Sequence, residues 1–156
     1  VSPSQSYPSV LATLSGHPVV NGGVSGELSQ AGRARLPGLL ARHRPALVIL
    51  LEGGNDILRG SGEAALKANL AAMIEAVQGS GAQILLVGVP RKSLFADGAP
   101  LYEELADQYG LVLDNDSIGE LLRDPALKSD AVHFNAEGYR TLAQRLHRLL
   151  QERGAL

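Results

Sequence analysis

Apolar residues along this chain follow two kinds of pattern. Short aliphatic and β-branched runs at Val19 and Val20, at 46–51, at 83–89 and at 111–113 have the length and composition of buried strands. Between them the period changes. Leu66, Leu70, Met73, Ile74 and Val77 recur at intervals of three and four, which places all five on one face of a helix. Tyr139, Leu142, Ala143, Leu146, Leu149 and Leu150 repeat the pattern in the last segment. Asn135 offers that segment an N-cap, and Glu137 puts negative charge at the positive end of the helix dipole. A third helical stretch, 30–43, contains Pro37, which lacks an amide hydrogen and disfavours helical geometry at Leu36. A kink or restart is expected there.

Alternating strands and helices predict an α/β fold with a parallel sheet covered by helices on both faces. No internal repeat or composition break divides the chain, so residues 1–156 are expected to form one domain. Sheets of this kind bind ligands outside the C-terminal ends of their strands. The loops after Val20, Leu51 and Val89, and the loop before the last helix, are therefore where chemistry is expected.

Composition narrows the classes. At 156 residues and 45% hydrophobic, the chain can bury one substantial core. A formal charge of −2 argues against nucleic acid as a partner. The absence of cysteine excludes disulfides, thiolate metal sites and a cysteine nucleophile. The longest apolar run, 46–51, is far short of the roughly 20 residues that span a bilayer, so stable membrane insertion is not expected.

Three of the four loops hold residues with chemical meaning. Asp130 and His133 stand three apart just before the last helix. At that spacing a carboxylate can fold back onto the imidazole, accept from Nδ1–H and leave Nε2 as a base; a turn residue beside a surface histidine is the plainer alternative. Gly53-Gly54-Asn55-Asp56 follows the strongest strand. Its glycines allow a sharp turn, and Asn55 could donate to a developing oxyanion or merely complete that turn. Gly22-Gly23-Val24-Ser25-Gly26 could present the Gly26 amide as a second oxyanion donor, or cradle a phosphate. His17, His43 and His147 read as structural, as do Ser25, Ser29, Tyr102 and Tyr109. No carboxylate or histidine cluster at ligand spacing accompanies Asp130 and His133, so neither a metal nor another cofactor is expected.

Taken in chain order, these blocks resemble the SGNH (GDSL-type) hydrolases, and most of all the branch of thioesterases, lysophospholipases and arylesterases. The segment from Asn21 to Ser29 resembles the family's second block, with Gly26 as its glycine. Glu52 to Asp56 resembles the third, and Asp130 to Asn135 the last. The run Ala34-Arg35-Leu36-Pro37-Gly38-Leu39-Leu40 is similar to that branch in particular.

The resemblance implies a flavodoxin-like three-layer α/β/α fold and a serine esterase acting on a small acyl ester, thioester or lysophospholipid. Asp130 and His133 would be its base pair, and Gly26 and Asn55 its oxyanion donors. It also implies a central strand ending in Gly-Asp-Ser before Val1, carrying the nucleophile; Ser2, Ser4, Ser6 and Ser9 lack that context. Such a segment would then be a partner of this chain as a separate or adjoining piece. The resemblance alone favours the periplasm or secretion. Two other readings stay open, a non-catalytic ligand-binding remnant of the same fold and a flavodoxin-like phosphate binder. The loop from Pro90 to Gly98, with Arg91, Lys92, Leu94 and Phe95, is expected to border the acyl site.

Overall fold

The computed structural model describes residues 1–91 and 98–156. Lys92, Leu94 and Phe95 therefore lie outside the described residues. Three parallel strands form the sheet, β1 (Leu47–Leu50), β2 (Gln83–Val87) and β3 (Val112–Asp114), in the order β1-β2-β3. Leu47 pairs with Gln83, and Leu85 with Val112.

β2 is central and apolar on both faces, as its sequence requires. Ile84 and Leu86 point to one side, where α2 (Ser29–His43), α4 (Glu63–Gly79) and α5 (Pro100–Tyr109) supply Leu36, Leu40, Leu70, Ile74 and Leu105. Leu85 and Val87 point to the other, against α6 (Ser117–Leu122) and α7 (Ala136–Glu152). α1 (Tyr7–Ser15) packs on α7, and the short α3 (Gly54–Arg59) leads out of β1. This is the expected α/β/α layering. No helix among the described residues is long and apolar enough to cross a membrane.

The two strongest helical patterns hold. Leu66, Leu70, Met73, Ile74 and Val77 are all buried on α4. The Asn135 side chain caps α7 by accepting from the Gly138 amide at 2.9 Å. One expectation fails outright and another in part. Val19 and Val20 form no strand: no ladder partner engages them among the described residues, and Val20 is 55% exposed, so the segment has neither hydrogen bonds nor burial to hold it extended. Nor does the helix restart at Pro37, since α2 runs unbroken from Ser29 to His43. Pro37 and Arg33 are exposed, so the Arg33 carbonyl that loses its helical donor can turn to water, while Leu36 and Leu40 anchor both halves in the core.

Candidate active site

The loop before α7 is built to hold one conformation. Ser129 donates its amide to the His133 carbonyl at 3.0 Å, and the Asn135 amide donates to the Leu127 carbonyl at 2.9 Å. The Asn135 side chain also donates to the Ala126 carbonyl at 2.8 Å. On this frame Asp130 folds back. Its Oδ1 accepts from the Val132 and His133 amides, each at 2.9 Å. His133 Nδ1 lies 3.0 Å from Oδ1 and 2.9 Å from Oδ2. The Val132 amide and then the His133 ring hold the Asp130 carboxyl below the usual carboxylate range. With Nδ1 engaged, Nε2 is the nitrogen that remains for an incoming proton, and no hydroxyl bonds to it among the described residues.

The second cluster joins the loop before α2 to the loop after β1. Gly26 has φ +75°, which turns the chain ahead of Glu27. Asn55 sits in the first turn of α3, and its Nδ2 donates to the Glu27 carbonyl at 3.2 Å. An amide nitrogen carries two hydrogens, so one is left for another acceptor. Directly beneath, buried Asp56 accepts from the Ser29 amide at 2.8 Å and the Ser29 hydroxyl at 2.7 Å. Asn69 of α4 donates to the same hydroxyl at 3.0 Å. Gly53 has φ +117°, and a Cβ there would overlap the Tyr102 hydroxyl. That hydroxyl donates to the Glu52 carbonyl at 2.7 Å, which fixes the strand exit from below.

A third group lies against this cluster. Arg35 of α2 grips the nearly buried Glu27 carboxylate, with Nε 2.7 Å from Oε2 and Nη2 3.0 Å from Oε1. The same Nη2 donates to the Gly22 carbonyl at 2.8 Å, so one guanidinium braces both ends of the loop. The Arg35 contact holds the Glu27 carboxyl below its usual range. Glu52 is pushed the other way, to about 7, first by burial and then by its contact with Glu27.

A groove of about 90 Å³ runs past these loops, lined by Gly54, Ile57, Leu58, Val89, Ile118 and Val132 among others. Gly54 adjoins Asn55 and Val132 adjoins His133, so the groove brings both loops to one surface at the C-terminal edge of the sheet. Arg91 also lines it and pairs with Glu63 at 2.7 Å. A wider depression of about 560 Å³, between Pro37, Arg44, Pro45 and Ser80, opens instead at the N-terminal end of β1.

Of the residues predicted from sequence, Asp130 and His133 are in direct contact, and Gly26 and Asn55 are joined through Glu27. The two pairs meet only across the groove, with no hydrogen bond between them among the described residues. Sequence reasoning missed the Asp56–Ser29–Asn69 lacing, the Tyr102 hydroxyl and the Glu27–Arg35–Glu52 group. One signal was available: Glu52 is an acidic residue closing an otherwise apolar run.

Comparison with known proteins agrees with this architecture. The model of the GDSL-like Lipase/Acylhydrolase family matches residues 1–141. The chain is 51% identical over 71 residues to the esterase TesA of Pseudomonas aeruginosa, across 46% of this chain and 35% of that protein. It therefore spans about a third of the length of the first curated relatives it matches. Against thioesterase 1/protease 1/lysophospholipase L1 of Escherichia coli K12 it is 30% identical over 139 residues, covering 85% of this chain and 67% of that one. A crystal structure of TesA superposes with a TM-score of 0.84 at 29% identity, covering 97% of this chain and 91% of that chain. The chain belongs to the GDSL-like lipase/acylhydrolase family.

Proposed function

We propose that the protein carrying this chain hydrolyses carboxylic ester or acyl thioester bonds through an acyl-serine intermediate. The contact of Asp130 with His133 Nδ1 is the observation that carries the reading. In it, Asp130 fixes the tautomer and His133 Nε2 takes the proton of a serine hydroxyl as that oxygen attacks the substrate carbonyl. The tetrahedral oxyanion accepts from the Gly26 amide and the second Asn55 N–H. His133 then gives its proton to the leaving alcohol or thiol, and water repeats the sequence to release the acid. By resemblance the serine belongs to a Gly-Asp-Ser strand N-terminal to Val1. The apolar side chains of the groove, Ile57, Val89, Ile118 and Leu122, suit an acyl chain, as in a small ester, thioester or lysophospholipid.

Turnover of p-nitrophenyl acetate by the full-length protein, with and without a serine-directed phosphonate, tests the reading. Hydrolysis abolished in step with covalent labelling of one serine supports it. Absence of hydrolysis, or hydrolysis indifferent to the phosphonate, refutes it.

A further inference from the structure

Two carboxyl groups from different loops converge on one point of α2. A Cβ at Gly32 would lie 2.6 Å from Glu52 Oε2 and 3.0 Å from Glu27 Oε1, so both oxygens occupy the space a side chain would take. Glu27 immediately follows Gly26, and its carbonyl holds Asn55. Glu52 immediately precedes the Gly53-Gly54-Asn55 turn. The two carboxyls therefore lie together at Gly32, between the loops that also meet through the Asn55 amide.

We propose that Glu52 is a positioning residue for the site described above: as a neutral carboxyl it donates to the Glu27 carboxylate, and this clasp keeps the Gly26 amide and the Asn55 amide in register. The inference rests on the hydrolase reading for its functional consequence, though not for its geometry.

The charges around the pair decide which partner keeps the proton. Arg35 from α2 is bonded to Glu27, so Glu27 carries the negative charge. Asp56 from α3 adds repulsion at Glu52. From α5, Tyr102 donates to the Glu52 carbonyl and leaves its carboxyl alone. α4 contributes Met73 beside Gly32, which supplies no charge. The Gly53 amide is a weaker counter-influence that favours ionised Glu52. Like charges in contact cannot both be ionised without separating. Once Glu52 loses its proton near neutrality, two carboxylates face each other across Gly32, and the Glu27 carbonyl is drawn off Asn55.

The sign for stability follows from the raised Glu52 carboxyl. Its contribution is complete below the unfolded value near 4.5 and fades as pH rises through about 7. Glu52→Gln keeps an N–H donor for Glu27 but cannot titrate, so it separates clasp from charge.

The test compares the full-length wild type with Glu52→Gln in two readouts, the thermal midpoint from about pH 5 to 9 and kcat for p-nitrophenyl acetate over the same range. The wild-type midpoint should fall relative to the variant from about pH 5 to about 7 and level off above it. The ratio of variant to wild-type kcat should climb about tenfold between pH 6 and pH 8, with KM steady, as expected for one group titrating near 7. Parallel midpoint curves would overturn the clasp whatever the activity. Diverging midpoints with parallel kcat profiles would overturn its positioning role. If the wild type lacks turnover, the hydrolase reading fails and the positioning role with it, while the midpoints still report the clasp.

Discussion

The buried Asp56 carboxylate takes both hydrogen bonds that Ser29 can donate, from the amide at 2.8 Å and the hydroxyl at 2.7 Å. Ser29 opens α2 and Asp56 lies one residue beyond Asn55, so this pair ties together the two loops that carry the proposed oxyanion donors. Removing the hydroxyl strips one bond from a buried charge and leaves Asn69 without its acceptor. Ser29→Ala should cost about 1–3 kcal/mol in urea unfolding and lower kcat more than it raises KM. A variant as stable as the wild type would show that the lacing contributes nothing.

Tyr102 supports the same region from the opposite side. Its ring is fully buried and its hydroxyl meets the Glu52 carbonyl at 2.7 Å, directly where Gly53 has no side chain. Tyr102→Phe leaves that carbonyl without its donor, at a cost of about 1–3 kcal/mol. Gly53→Ala should be worse, because both its φ of +117° and the Tyr102 hydroxyl exclude a methyl group. Thermal unfolding of the two variants should give that order, and the reverse order would remove the role assigned to the glycine.

Asn55 serves the transition state in this account. Asn55→Ala should lower kcat by about 10²–10³ with KM little changed, because the charge it stabilises is absent from the bound substrate. A change confined to KM would make Asn55 a substrate-binding residue instead.

In the proposed mechanism Asp130 acts through the His133 ring, and its Oδ1 is also a turn acceptor for two backbone amides. Asp130→Asn should keep the turn largely intact but present a donor to Nδ1, stabilising the wrong tautomer. Turnover should fall by about 10⁴. Steady-state kinetics at neutral pH would check this, and a loss below tenfold would show that the tautomer is fixed elsewhere.

Much of this was legible because it depends on short-range pattern. The period of Leu66, Leu70, Met73, Ile74 and Val77 is the buried face of α4, and Asn135 caps α7, since both features are decided within a few residues. The Asp130–His133 contact is equally local, but its spacing alone suits a turn residue beside a surface histidine, and only the family resemblance favoured the contact. Features that depend on distant partners were not legible. Val19 and Val20 have strand composition, but a strand also needs a neighbour to pair with. Pro37 reads as a break until its exposure and the flanking anchors Leu36 and Leu40 are known. Glu27, Arg35 and Glu52 are separated by spacings that no local periodicity relates, so only the folded chain brings them together around Gly32.

The most direct test of the account is the turnover of His133→Ala in the full-length protein, measured alongside its thermal midpoint. The ring is exposed and its side-chain hydrogen bonds among the described residues go to Asp130 alone, so the variant should unfold within a few degrees of the wild type. Its kcat for p-nitrophenyl acetate should nevertheless fall by about 10⁴ or more, because the proposed mechanism gives the serine proton to His133. A folded His133→Ala protein with near-normal turnover would contradict the assignment of Asp130 and His133 as the base pair.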